Sequence, residues 1–239
     1  MFILIFLLIV LILLSYINTN EGFTEISNDA YVINLDSRPD RMEKIITRFS
    51  SLNIIRVDAI KDEIGWKGCA KSHIKIVQMA KDMNLPFILI MEDDAIPTDS
   101  FSNWPKIKTW LEKNKEKWDI YLGGNTHYAY NKESPIDPIC TLESIKLYKT
   151  KLQTLHFYYI NSTAYDAFLK YDFIKPIDLW PDLQHMRTIS SIPFISIQDT
   201  TYSDIEKRDV NYDDMFNLSE TAIGIIDNVK ECFKNQHQY

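Results

Sequence analysis

The sequence predicts an α/β domain with a mainly parallel central sheet and helices on both faces, preceded by an N-terminal hydrophobic helix. Three observations carry this. After residue 30, short β-branched apolar runs alternate with longer stretches of helical periodicity. One run, Phe87-Ile88-Leu89-Ile90-Met91, is apolar throughout, as a central strand covered on both faces would be. Residues 2–14 are continuously apolar, and Tyr16 and Ile17 extend that run.

A bilayer span takes about 20 residues, so the first segment sits at the short edge of what can cross. No small-x-small cleavage site follows it and no Lys or Arg precedes it, which favours a signal anchor over residues 1–18 above a cleaved signal peptide. The flank beyond carries Glu21, Glu25 and Asp29 without a positive charge, so a single-pass membrane protein with a lumenal or extracytoplasmic catalytic domain is expected. Residues 19–29 read as a short stem and 30–239 as one domain, with no linker to divide it.

Tyr31-Val32-Ile33-Asn34-Leu35 reads as a buried strand ending in turn chemistry. Pro39 suits the first turn of a helix to about Ser50, with Met42, Ile45, Ile46 and Phe49 on one face. Ile54-Ile55-Arg56-Val57 reads as a second strand, and a second helix is expected from about Cys69 to Met83. Pro86 ends it and leads into the apolar strand at 87–91. A helix is expected over 103–117, its alternating lysines forming a solvated face, then a strand at 118–122. Residues 125–150 read as a long loop with a hairpin. A strand at 155–160, a helix at 163–170, a strand at 194–197 and an amphipathic helix over 218–234 complete the pattern.

The formal net charge is −7, which argues against nucleic-acid binding, where a basic face is normal. Three cysteines, Cys69, Cys140 and Cys232, allow one disulfide and leave one thiol, and no spacing among them suggests zinc. Asn161-Ser162-Thr163 and Asn217-Leu218-Ser219 are glycosylation sequons, consistent with a secretory lumen.

The acidic triplet Glu92-Asp93-Asp94 follows the end of the most apolar strand, where open α/β sheets bind ligands. Bunched carboxylates repel one another and invite a cation, and hard oxygen donors favour Mg²⁺ or Mn²⁺ with a diphosphate completing the shell. A solvated acidic turn is the plainer alternative. At the exit of the first strand stand Asp36, Arg38, Asp40 and Arg41. Guanidinium groups there suit phosphate and planar bases, although a capped helix with surface ion pairs has the same composition. Gly68-Cys69-Ala70-Lys71-Ser72-His73 is expected to open the second helix, where free backbone N–H groups can hold an anion.

Together the runs YVINLDSRPDR (31–41), GCAKSH (68–73) and ILIMEDDA (88–95) resemble, in order and spacing, glycosyltransferase family 25. That family includes lipooligosaccharide galactosyltransferases and collagen β-galactosyltransferases. The resemblance extends more weakly through WDIYLG (118–123), YYINSTAYDAFL (158–169), PIDL (176–179), Gln198 and Ser203-Asp204-Ile205. It implies a GT-A-type nucleotide-sugar-binding fold, Mn²⁺ or Mg²⁺, and inverting transfer of a hexose, most often galactose from UDP-galactose, to a glycan, lipid or protein hydroxyl. By the same carry-over Glu92 and Asp94 stand at the metal, with Asp93 beside the diphosphate. Asp36, Arg38 and Arg41 stand at the nucleotide, and Ser72 and His73 near the donor sugar or diphosphate. Asp204 is a candidate to complete the metal or donor site from the chain's end. Inversion needs a base to accept the acceptor's proton; the family pattern offers Asp178, with Asp182 as runner-up. Two other readings stand beside this one: a non-catalytic binding module on the same fold, and a metal-dependent nucleotidyltransferase. The second would ordinarily show a Gly-rich phosphate loop, which this chain lacks.

Overall fold

The computed structural model describes residues 27–205, 207–224 and 229–232. The signal anchor and most of the stem expected at the N-terminus lie outside the described residues. Among the described residues no helix is long and apolar enough to cross a membrane.

In chain order come β1 (Asp29–Asn34), α1 (Pro39–Arg48), β2 (Asn53–Asp58), α2 (Gly65–Asp82), β3 (Phe87–Glu92), β4 (Ala95–Pro97), α3 (Trp104–Lys113), β5 (Ile120–Leu122) and α4 (His127–Tyr130). Next are β6 (Asp137–Leu142), β7 (Ile145–Thr150), β8 (Phe157–Asn161), α5 (Tyr165–Phe168), α6 (Pro181–Gln184) and β9 (Thr188–Ile192). The small elements β10 (Ser196–Gln198), β11 (Tyr202–Ser203), β12 (Arg208–Asp209) and the helix α7 (Asp213–Ile223) follow.

Eight strands form one sheet in the order β2-β1-β3-β8-β5-β9-β7-β6. β1 pairs in parallel with β2 and β3, and β5 with β9, whereas β8 and β7 run against their neighbours. Most strands therefore share one direction, but the sheet is mixed. Apolar alternation marks a strand and its faces, not its direction, so the two reversed strands were invisible in the sequence.

The faces follow the strand period of two. Tyr31, Ile33, Ile88, Ile90, Tyr158 and Ile160 pack with Ile76, Val77 and Ala80 of α2. Val32, Leu89, Met91, Tyr121, Phe157 and Tyr159 pack on the other face with Ile45 of α1 and Trp104, Ile107 and Leu111 of α3. Helices on both faces are thus confirmed. β3 sits between β1 and β8 with its middle four residues buried, which places the acidic triplet at a central strand end.

Several expectations need correction. Ile46 is 53% exposed, so the buried face of α1 is narrower than the four residues predicted. The third helix ends at Lys113, a short 3-10 turn covers Lys115–Lys117, and Lys108 is buried against Glu112 at 3.2 Å rather than solvated. β9 (Thr-Ile-Ser-Ser-Ile) escaped prediction because two serines occupy core positions. Ser190 Oγ donates to Leu122 O at 2.9 Å, and Ser191 Oγ shares a 2.8 Å hydrogen bond with Tyr121 OH. The tail helix spans Asp213–Ile223, earlier than expected, and residues 229–232 return to β6 through a Thr141–Glu231 bridge and the Cys140–Cys232 disulfide. Cys69 is the thiol left over. Asn161 is no glycosylation site in the folded chain: it is buried, and its amide donates to Lys115 O at 2.7 Å and Trp118 O at 3.1 Å.

Candidate active site

The parallel strands β1, β2 and β3 end side by side, and their exits enclose a cleft of about 360 Å³. Glu92, Asp93 and Asp94 form one wall, Arg41 and residues 59–62 another, and Ser203, Asp204 and Ile205 close over the top. Cys69 and Ser72 line it from α2. Glu92 and Asp93 face opposite ways because they are neighbours at a strand end.

Asp93 faces α1. Its two oxygens accept from Asn34 Nδ2 at 2.7 Å and from Arg41 Nη1 at 2.9 Å. Burial still holds its carboxyl above the ordinary range, with Arg41 and Asn34 opposing that rise. Arg41 also donates to Tyr202 O at 2.6 Å, so it anchors the hairpin that roofs the cleft. Arg38 is not among the lining side chains; it reaches Asp204 at 2.7 Å and ties down the same roof. Asp36 is exposed and paired with Arg56 beside a separate, shallower groove.

Glu92 faces α2. Burial raises its carboxyl, but the hydrogen bond and charge of His73 prevail and hold it below the ordinary range. His73 Nε2 lies 3.0 Å from Glu92 Oε1, and its Nδ1 lies 3.0 Å from Tyr158 OH. Cys69 Sγ donates to the same Glu92 oxygen at 3.6 Å.

The segment 68–73 does not open the helix. α2 begins at Gly65, one turn earlier, so the backbone N–H groups of these residues are spent inside it. Ser72 Oγ instead donates to Gly68 O at 2.8 Å and accepts from Ile60 N at 2.8 Å, which clamps the β2 exit to the helix. Gly68 is required there: a Cβ would stand 2.5 Å from Ile60 O. His73 is fully buried beneath Glu92 and cannot touch a sugar directly.

Asp94 differs from its neighbours. Its Oδ1 is buried and accepts no hydrogen bond, and burial followed by the charges of Glu92 and Asp93 pushes its carboxyl well above the ordinary range. An unpaired buried acceptor costs about 1–3 kcal/mol. A buried carboxylate oxygen without a donor is a fit for a hard divalent cation, so Asp94 is the residue that could hold Mn²⁺ or Mg²⁺ here. Among the described residues, the three ligand atoms lying within 4.8 Å of one another belong to Cys69, His73 and Glu92; Asp94 is outside that group.

Asp178 sits in a 3-10 turn (Ile177–Leu179), near enough to Glu92 and His73 to feel their charges. Burial raises its carboxyl, and Thr154 N donates to its Oδ2 at 3.4 Å. Asp182 is exposed in the first turn of α6. The sequence left open which of the three cysteines is the spare thiol and placed Cys69 only within the run at 68–73, and Asn34 was not singled out. The polar residue closing an otherwise apolar β1 was the available signal for Asn34.

Residues 63–179 match the sequence model of glycosyltransferase family 25, described as an LPS biosynthesis protein. Over that stretch the chain is similar to glycosyltransferase family 25. The family 25 segment contains Ser72, His73, Glu92, Asp93, Asp94 and Asp178; Asp36, Arg38, Arg41, Asp182 and Asp204 lie outside it. No curated protein sequence matches the chain. Two solved structures are similar in outline. The crystal structure of A197 from STIV is 13% identical, with 87% of this chain and 98% of that one covered, at a TM-score of 0.46. An apo UDP-glucose pyrophosphorylase is 11% identical, with 82% and 80% covered, at a TM-score of 0.40. Both likenesses are loose, and neither bears on what this chain binds.

Proposed function

We propose that this family 25 glycosyltransferase is metal-dependent and inverting, and that it moves a hexose, galactose from UDP-galactose, to a hydroxyl of a glycan, lipid or protein. The observation that supports this best is the unsatisfied Asp94 oxygen in the wall of the cleft, beside Arg41. Mn²⁺ or Mg²⁺ held by Asp94, with Glu92 close by, would supply positive charge to the diphosphate leaving group.

The protein's own groups do the rest. Arg41, fixed by Asp93 and the Tyr202 carbonyl, presents a guanidinium to the diphosphate without needing to be ordered on binding. Arg38 acts through Asp204, holding the roof of the nucleotide pocket in place. Asp178 accepts the proton of the acceptor hydroxyl. As it does so, that oxygen bonds to the anomeric carbon, and the bond from that carbon to the diphosphate oxygen breaks on the opposite face. The electron pair leaves with the nucleoside diphosphate. A carboxyl raised by burial is a stronger base than an exposed one, which suits the task. Tethering to a membrane through the apolar N-terminal segment, with the domain on its lumenal or extracytoplasmic side, accompanies this proposal.

The test incubates the protein with Mn²⁺ and a panel of nucleotide sugars, with and without EDTA, beside Asp94→Ala. Release of nucleoside diphosphate from one donor, abolished by EDTA and by the substitution, is the expected result. Failure of UDP and Mn²⁺ to bind in calorimetry would overturn the proposal in favour of a non-catalytic module. Release of a sugar phosphate would point to the nucleotidyltransferase class, and release of inorganic phosphate to a phosphohydrolase.

A further inference from the structure

The cleft carries a second set of metal donors of a different chemical character. Cys69, His73 and Glu92 offer a sulfur, an imidazole nitrogen and a carboxylate oxygen, all within 4.8 Å of one another. Cys69 and His73 lie four residues apart on α2, so one helix face presents both. Glu92 comes from the end of β3 and meets both of them at the same oxygen. Tyr158 OH at 3.0 Å from His73 Nδ1 fixes the ring, as an outer partner does for a metal-bound imidazole. Cys69 and Glu92 line the cleft, which gives an ion a way in and leaves one coordination position open to it.

We propose that Cys69, His73 and Glu92 form a binding site for a soft divalent cation of the zinc class, separate from the hard-cation position at Asp94. Thiolate and imidazole select zinc-like ions, whereas Mn²⁺ and Mg²⁺ prefer oxygen. One thiolate and one carboxylate neutralise a doubly charged ion, and three protein donors with an open fourth position make an accessible zinc site. On binding, the Cys69 thiol and the His73 Nε2–H that faces Glu92 each release a proton to solvent as the sulfur–metal and nitrogen–metal bonds form. His73 keeps its other proton on Nδ1, directed at Tyr158 OH, and offers the freed Nε2 lone pair to the ion. Small inward rotations of Cys69 and Glu92 bring the donors to bonding distance. The proposal stands apart from the transferase reading, because it concerns ion binding alone.

The test is a Co²⁺ titration of the full chain, in which a cobalt–thiolate bond shows as a charge-transfer band in the near ultraviolet. Cys69 is the one thiol outside the disulfide, so the band has a single possible origin. The expected result is a band saturating at one equivalent, displaced by Zn²⁺, absent in Cys69→Ser and retained in Asp94→Ala. Tyr158→Phe is expected to weaken binding about tenfold. A readout without substitution is the rate at which iodoacetamide alkylates Cys69, expected to fall when Zn²⁺ is present and not when Mg²⁺ is. Absence of the band, its persistence in Cys69→Ser, its loss in Asp94→Ala, or alkylation indifferent to Zn²⁺ would each overturn the proposal.

Discussion

Arg41 Nη1 stands 2.9 Å from Asp93 Oδ1, and both side chains are nearly out of solvent. The pair links the end of β3 to α1, and through Tyr202 O it reaches the roof of the cleft. Replacing Arg41 with Met leaves Asp93 buried with Asn34 as its one donor. Breaking a buried pair from one side costs roughly 3–5 kcal/mol, so a lowered urea midpoint is expected. The folded pKa of Asp93 is already raised, and losing Arg41 raises it further. The loss should therefore be largest above the ordinary carboxylate range and shrink as pH falls and Asp93 takes a proton. Asp93→Asn in the same background should restore part of the stability.

His156, whose carbonyl accepts from Glu92 N at 2.9 Å, gives the fold an acid-sensitive point of its own. It is fully buried, its Nε2 lies 3.1 Å from Ser196 O, and burial pushes its pKa from 6.5 down to about 4. The folded chain binds this proton less readily than the unfolded chain. Stability from this group is thus complete above 6.5 and is lost as pH falls toward about 4. At 1.36 kcal/mol per unit, the loss amounts to roughly 3 kcal/mol. His156→Gln keeps a donor toward Ser196 O and should flatten the acid limb of the denaturation midpoint measured against pH. An unchanged limb would assign acid sensitivity to other groups.

Gly68→Ala tests the close approach of α2 to the β2 exit. The added Cβ would meet Ile60 O at 2.5 Å and Asp62 N at 3.1 Å, both backbone atoms with little freedom to yield. Overpacking of this kind costs about 1–3 kcal/mol. Residues 60–62 line the cleft, so their displacement should also weaken UDP binding, measured by calorimetry on the folded fraction. A variant that loses stability yet binds UDP normally would show that this wall does not contact the nucleotide.

The sequence made the acidic strand end legible because three carboxylates directly follow the apolar strand at 87–91, a contrast that packing alone does not call for. The partnerships within it were not legible. Asp93 with Arg41, and Glu92 with His73, are pairings across 52 and 19 residues that only the strand order creates. Cys69 was missed as a ligand because its partners are a histidine one turn on and a glutamate on another element, not a second cysteine. The helix start was misplaced by one turn because Gly65-Trp66-Lys67 carries no capping side chain; Ile64 occupies the N-cap without a side-chain hydrogen bond. β9 was hidden because its serines are satisfied inside the core, which reads in sequence as a polar loop.

Asp178 and Asp182 lie in adjacent short turns, and the structure separates them by burial. Asp178 is shielded and feels Glu92 and His73, whereas Asp182 is exposed. If Asp178 accepts the acceptor's proton, Asp178→Asn should lower kcat by roughly 10²–10⁴ while UDP and Mn²⁺ bind as before. A structural role would instead move binding and stability together, since Thr154 N donates to the Asp178 carboxylate, whereas Gln184 Nε2 bonds its main-chain oxygen and is untouched by the substitution. The pH profile adds a second readout. The base must be ionised, and burial raises its pKa, so kcat should fall on the acid side at a pH above the ordinary aspartate value. Asp182→Asn should leave kcat within about twofold, as surface substitutions generally do. Activity lost in Asp182→Asn and kept in Asp178→Asn would transfer the base to the exposed residue and require α6 to turn toward the cleft when the acceptor binds.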